Sequence, residues 1–181
     1  MRIITGRHKG RAIRMPGGIR PTQNKVRKAV FDILGDIKGL SFLELFAGTG
    51  AVGFEALSRG AGELVLVESE CGPLEAIRRN IEALKAENCR LYPLQAQEAI
   101  PVLHREGGSF NIIFMDPPYR EDWLKKTLQS LSAYDILAPY GLLIIQHSRK
   151  DRLPEEVCRL NLIKESRYGD TLLSIYRKKE G

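Results

Sequence analysis

An α/β fold built on a doubly wound, mostly parallel sheet is what this sequence predicts, and two observations predict it. Short, near-continuous apolar runs recur between residues 41 and 146, and a stretch with helical spacing separates each from the next. Strands buried on both faces require the first, and parallel connections require the second. A third observation sets the ends apart: the first 28 residues hold nine Lys or Arg and no acid, while the last two apolar runs have no helix between them.

The elements follow in order. RIIT (2–5) and RAIRM (11–15) flank the turn-rich Gly6-Arg7-His8-Lys9-Gly10, which predicts a small basic β-hairpin arm. Thr22, after Pro21, is a good N-cap, and Val26, Ala29, Val30, Ile33 and Leu34 recur at helical spacing until Gly35. Buried strands are expected at SFLELF (41–46), ELVLVE (63–68), RLYPL (90–94), FNIIFMD (110–116) and LLIIQ (142–146). Helices are expected between them, over 51–59, 73–87, 96–105 and 123–133, the second with Leu74, Ile77, Ile81 and Leu84 on one face. LNLIKES (160–166) and TLLSIYR (171–177) flank Tyr168-Gly169-Asp170 and read as a C-terminal antiparallel hairpin closing the sheet edge.

With 181 residues, 43% of them hydrophobic, the chain is expected to form a single domain over 1–181, with the basic arm at 1–21 and a helix plus α/β core at 22–181. Three cysteines (Cys71, Cys89, Cys158) without a CxxC pair speak against a disulfide framework or a zinc site, and no metal is expected. No run resembles a signal or a membrane span, so a cytoplasmic protein with reduced thiols is expected. Beyond residue 28 the body is nearly neutral, which leaves the cationic front end as its distinguishing charge. Such a concentration draws a polyanion by releasing its counterions, and it nominates Arg2, Arg7, Lys9, Arg11, Arg14, Arg20, Thr22, Lys25 and Arg27 as a nucleic-acid-facing set.

Ligands of such sheets bind beyond the carboxyl ends of the strands, where the strand order reverses. Phe46-Ala47-Gly48-Thr49-Gly50-Ala51-Val52-Gly53 falls there and matches G-x-G-x-x-G between a strand and its helix. Glu68 ends the next strand and is placed to accept hydrogen bonds from ribose hydroxyls, so an adenosine-type cofactor is expected. A nicotinamide dinucleotide would use the same glycines. Glu44, a carboxylate inside an apolar strand, suits the cationic amino-acid moiety of S-adenosylmethionine, which the dinucleotide lacks.

The run Phe114-Met115-Asp116-Pro117-Pro118-Tyr119 carries the chemistry. Two prolines remove N–H donors and stiffen the chain, leaving a carboxylate and carbonyls as acceptors. Asp116 and the Pro117 carbonyl can accept both hydrogens of a nucleobase amine, freeing its lone pair to attack a methyl group, while Tyr119 offers a stacking face. No histidine is required: His8 can touch phosphate, and His104 and His147 read as surface or strand-end residues. Trp123 is expected to pack its helix on the sheet.

FAGTG, the strand-end Glu68 and DPPY resemble the S-adenosylmethionine-dependent amino-group methyltransferases. More closely, RIITGRHKGR, Arg20-Pro21-Thr22, LELFAGTGAVGFEALSRGA (43–61) and YGDT (168–171) resemble the ribosomal RNA small subunit methyltransferase D family over nearly the whole chain. The resemblance implies a Rossmann-like methyltransferase fold and transfer of methyl to the exocyclic N2 amine of a guanine in 16S rRNA, with a partly assembled small subunit as the expected partner. It implies S-adenosylmethionine held by Glu44, Phe46, Ala47, Gly48, Thr49, Gly50, Glu68 and Ser69, and Asp116, Pro117, Pro118 and Tyr119 as the catalytic clamp. Glu44 stands where the family usually has Asp, and Lys28 where it commonly has Glu. Gln95 and Ala96 occupy the end of the third strand, where relatives often use Asp near the adenine amine, and are expected to meet the adenine of the cofactor. Two other readings share these motifs: an adenine-N6 methyltransferase of RNA or DNA, and a non-catalytic RNA-binding or assembly module. DNA enzymes of the first kind usually need a recognition insertion for which this chain has no room, and the second leaves every catalytic position filled without purpose.

Overall fold

A computed structural model describes residues 1–16, 24–118, 121–151, 153–157 and 159–178. The expected Thr22 cap, Arg20, Tyr119 and Cys158 lie outside them. After the arm come α1 (Asn24–Leu34), β1 (Ser41–Leu45), α2 (Ala51–Ser58), β2 (Glu63–Val67), α3 (Cys71–Leu84), β3 (Cys89–Tyr92) and α4 (Ala96–Arg105). Then follow β4 (Phe110–Met115), α5 (Glu121–Ala133), β5 (Leu137–Ser148), β6 (Glu156–Val157), β7 (Leu160–Tyr168) and β8 (Thr171–Lys178).

The strands form one sheet in the order β3-β2-β1-β4-β5-β8-β7-β6, parallel through the first five and antiparallel beyond. This is the doubly wound, Rossmann-like arrangement, with its order reversing between β1 and β4. Side chains alternate across the strands and divide the core in two. Phe42, Leu64, Leu66, Ile112 and Phe114 meet Val30, Val52, Phe54 and Ile77 on the α1, α2 and α3 side. Leu43, Leu45, Val65, Val67 and Ile113 meet Ala99, Ile100, Leu103 and Leu128 on the α4 and α5 side. α1 stops at Gly35, whose φ of 68° and N–H bond to the Phe31 carbonyl form a left-handed cap.

Three expectations need correction. β3 is an edge strand with partly exposed side chains, because the strand order, which composition does not encode, leaves no strand beyond it among the described residues. β5 begins at Leu137, before the apolar run. Its Pro139-Tyr140-Gly141 segment is looped out of register opposite Phe110 and Ile112, with Tyr140 at φ 59°. The hairpin of β7 and β8 inserts β8 next to β5, and the two-residue β6 forms the final edge, short as exposed edges tend to be.

The arm is docked on the core. Arg2 and Ala12 form an antiparallel bridge, and Ile3 and Ile13 are buried. Glu55 of α2 accepts the N–H groups of Ile4 (2.7 Å) and Thr5 (3.0 Å), while Ser58 bonds Thr5 and His8. The approach is so close that a Cβ on Gly6, at φ 86°, would sit 1.8 Å from the Ser58 carbonyl oxygen. Arg27 corrects the nucleic-acid-facing set: it is fully buried, donates to the Arg2 carbonyl at 2.6 Å, and lies 4.0 Å from Glu55. Its guanidinium holds the arm from within. Arg2, Arg7, Lys9, Arg11, Arg14 and Lys25 are exposed.

Removing Glu55 would strand a buried guanidinium and two backbone donors together. Glu55→Ala should therefore cost about 3–5 kcal/mol in urea unfolding and speed hydrogen exchange at Ile4 and Thr5. A loss below about 1 kcal/mol would show that other contacts hold the arm.

Candidate functional site

The parallel register brings three strand ends to one level. Leu45 pairs with Val67 on one side and with Met115 on the other, so the next residues, Phe46, Glu68 and Asp116, line up at the carboxyl edge. From there the chain runs through Ala47, Gly48, Thr49 and Gly50 into α2. Phe46 (φ 57°), Gly48 (φ 56°) and Gly50 (φ 72°) are all left-handed, which folds the loop tightly enough for Ala47 N–H to reach the Val67 carbonyl at 2.9 Å. A Cβ on Gly48 would meet nothing within 4 Å, leaving that face open to a ligand.

Glu44 lies beneath this loop on the α2 side and is 3% exposed. Its Oε2 accepts the Gly53 N–H at 2.7 Å, satisfying a donor of the first turn of α2. Gly53 explains the contact, since a Cβ there would sit 2.8 Å from that oxygen. Burial pushes the Glu44 carboxyl up to about 8; the N–H groups of Gly53 and Val52 oppose the rise, and the Asp116 and Glu68 charges add to it.

Glu68 is buried and almost fully engaged. Its Oε2 accepts the Gly48 N–H at 2.7 Å, and Oε1 accepts those of Ser69 (2.7 Å) and Glu70 (2.9 Å). With roughly four lone-pair sites on a carboxylate, one is left for a ligand hydroxyl. Neither Glu44 nor Glu68 has an ion pair among the described residues, and Glu44 feels the charges of both Glu68 and Asp116. A cationic ligand with a ribose would complement this edge.

Asp116 is half-buried, Pro117 buried and Pro118 exposed. Gln146, at the end of β5, donates from Nε2 to Asp116 Oδ2 at 2.8 Å. Gln95 lies beyond the end of β3, with Oε1 accepting from Gln97 and its N–H donating to Glu98, and Ala96 is buried in α4. Of the histidines, His147 is a buried strand-end residue of β5, with Nε2 2.8 Å from Ser174 Oγ. His104 is exposed.

Three residues here are absent from the expected site. Gln146 is the one polar residue of the LLIIQ run, a signal in itself. Trp123, expected only to pack on the sheet, meets Phe46 edge-on with ring centroids 6.3 Å apart, so α5 reaches the glycine loop. Asn80, 1% exposed, interrupts the apolar face of α3 three residues after Ile77. It accepts Arg14 N–H (2.8 Å) and donates to the Arg14 carbonyl (3.2 Å) and the Thr49 carbonyl (3.3 Å), joining arm and loop.

A family model described as conserved hypothetical protein 95 matches residues 1–177. Ribosomal RNA small subunit methyltransferase D of Escherichia coli strain K12 is 33% identical over 181 residues, 98% of this chain and 90% of its own. The Bacillus subtilis strain 168 protein YlbH, provisionally named an rRNA methyltransferase, is 34% identical over 183 residues, 99% of this chain and 100% of its own. Among solved structures, the Escherichia coli protein yhhF, provisionally named a methyltransferase, superposes with a TM-score of 0.88 at 30% identity, covering 100% of this chain and 99% of that one.

Glu44 makes stability depend on pH in a stated direction. A raised folded value means that the folded state keeps a proton the unfolded chain has lost, so stability is complete below 4.5 and declines as pH rises through about 8. Glu44→Gln should flatten that decline in urea unfolding of the ligand-free protein. An identical slope in both proteins would show that the carboxyl is ionised throughout.

Proposed function

This chain belongs to the ribosomal RNA small subunit methyltransferase D family, and from that premise we propose that it methylates the exocyclic N2 amine of a guanine in small-subunit rRNA. The observation that carries the reading is the alignment of Phe46, Glu68 and Asp116 at one level of the sheet edge. It sets the acceptor clamp of Asp116 and Pro117 beside the glycine loop that would hold the cofactor.

The cofactor is S-adenosylmethionine, which supplies, when bound, a methyl group on a positively charged sulfur. Glu44 and the loop of Phe46, Ala47, Gly48, Thr49 and Gly50 would hold its amino-acid end. Glu68, through its remaining lone pair, and Ser69 would hold the ribose, with Gln95 and Ala96 toward the adenine. Asp116 and the Pro117 carbonyl accept the hydrogens of the target amine, orienting its lone pair and stabilising the positive charge that grows on nitrogen. Pro118 stiffens the clamp, and Tyr119 offers the base a stacking face. A base paired inside a helix cannot present its amine this way, so the target is unpaired or flipped out.

The exposed Arg2, Arg7, Lys9, Arg11, Arg14 and Lys25 carry the RNA, joined by Arg20 and Thr22. Arm (1–21) and core (22–181) then work as one domain on a partly assembled small subunit, which places the protein in the cytoplasm.

Treating unmodified small subunits with enzyme and cofactor, then analysing nucleosides by mass spectrometry, should reveal N2-methylguanosine; N6-methyladenosine would make the chain an adenine enzyme instead. Asp116→Ala should lower single-turnover rates by about 10²-fold or more while cofactor affinity stays within a few-fold, as expected for a group addressed to the transition state. Unchanged rates would remove the clamp from the mechanism. Replacing Arg7, Lys9 and Arg11 together by Glu should weaken RNA binding and flatten its salt dependence, with cofactor affinity intact. A wild-type salt slope would make the arm a merely solvated surface.

A further inference from the structure

Gln146 holds an unused hydrogen-bonding group beside the reacting carboxylate. Ile145 pairs with Met115 across β5 and β4, so Gln146 stands next to Asp116, and its Nε2 donates to Asp116 Oδ2 at 2.8 Å. The residue is 6% exposed, and its Oε1 is shielded from solvent with no hydrogen-bond partner among the described residues. Leaving a buried carbonyl oxygen unmatched costs roughly 1–3 kcal/mol, and few such groups persist in folded proteins. At the edge of a ligand site, the missing donor is one that arrives with the ligand. The orientation of the amide is determined as well. Turning it over would press Oε1 against a carboxylate oxygen, so Asp116 keeps the nitrogen toward itself and leaves the oxygen as the free end.

We propose that Gln146 determines base specificity: with Nε2 pinned by Asp116, its Oε1 accepts the N1–H of the target guanine and turns adenine away. The proposal rests on the reading that Asp116 receives the exocyclic amine. In guanine, the Watson–Crick-edge nitrogen next to the amine-bearing carbon carries a hydrogen. In adenine the corresponding nitrogen carries a lone pair, which would face another lone pair on Oε1. Asp116 and Pro117 cannot make this distinction, because both bases offer them the same two N–H groups. Since two heteroatoms of one amide share a carbon, the acceptor for N1–H lies beside the acceptor for the amine. Because Oε1 is shielded in the free protein, the base must move aside what covers it. A polar site built for a donor discriminates strongly against an analogue without one, because the buried acceptor is then left unmatched.

The base 2-aminopurine isolates this contact, for it keeps the N2 amine but has a lone pair at N1. Small subunits would be reconstituted with guanine or 2-aminopurine at the position that nucleoside mapping identifies, and methyl transfer measured in single turnovers at saturating cofactor. Wild-type enzyme should prefer guanine by about 10- to 100-fold. Gln146→Met, close in size, and Gln146→Leu should narrow that ratio to within a few-fold, in variants whose melting temperature and cofactor affinity are checked first. Equal slowing on both bases by either folded variant would overturn the proposal and leave Gln146 only a positioning residue for Asp116. Failure of the wild-type enzyme to methylate guanine at all would instead overturn the guanine reading on which the proposal depends, so the two failures are distinguishable.

Discussion

A carboxylate buried in an apolar strand is the constraint from which the site is built. Glu44 belongs to β1, which is paired on both sides, so it has no route to solvent along the sheet. Its oxygen is matched instead by the first turn of α2, and that contact dictates the residues around it. Gly53 must lack a side chain for the helix to come so close, and the preceding loop must turn through Gly48 and Gly50 to begin α2 directly above. Glu68 then fastens the loop from the neighbouring strand by accepting the Gly48 N–H. The result is a concentration of acid at a helix N-terminus, tolerable because backbone N–H groups surround two of the three carboxyl groups. Charge of the opposite sign on a ligand meets a site already organised for it.

The cationic arm obeys a second constraint, since six basic side chains within residues 1–21 repel one another and give the chain little reason to fold back. Docking is achieved through backbone groups, which carry no net charge. Ile4, Thr5, Arg7 and His8 N–H groups all find acceptors on Glu55 or Ser58, and Ile3 and Ile13 enter the core. Of the exposed heads, Arg2 bonds the Gly10 carbonyl and Arg11 the Ala83 carbonyl. Arg27, from α1, is turned inward to bind the Arg2 carbonyl, and with Arg59 it flanks the buried Glu55.

How much of this was legible in the sequence follows from what each residue depends on. The parallel core, the glycine loop and the strand-end Glu68 were legible because local pattern determines them: apolar runs of strand length, helical spacing between, and glycines where φ must be positive. The amino end of β5 was not, since Pro139-Tyr140-Gly141 has turn composition and only pairing with β4 makes it strand. Arg27 looked like another surface charge because its environment is assembled from Met1, Arg2 and Glu55, remote in the chain. Gln146 and Asn80 were visible as polar residues in apolar patterns, yet their partners Asp116, Thr49 and Arg14 could be named only from the folded structure. Local pattern therefore located the strand ends, and tertiary contacts decided what stands behind them.

Asn80 ties the arm to the glycine loop. A single buried amide holds both the N–H and the carbonyl of Arg14 and also the carbonyl of Thr49, so the end of the arm is placed relative to the glycine turn by side-chain bonds and not by the chain between them. Burial makes that placement stiff, because a shift of either backbone would leave a polar group unmatched in an apolar setting. The arm also leans on α2 through Glu55 and Ser58, while the amino end of the same helix rests on Glu44. A polyanion bound, as proposed, by the exposed arginines would consequently be referred to the elements that carry the strand-end carboxylates. Methyl transfer demands that two reactants meet with little freedom between them, and the proposed RNA and cofactor surfaces share one helix and one asparagine.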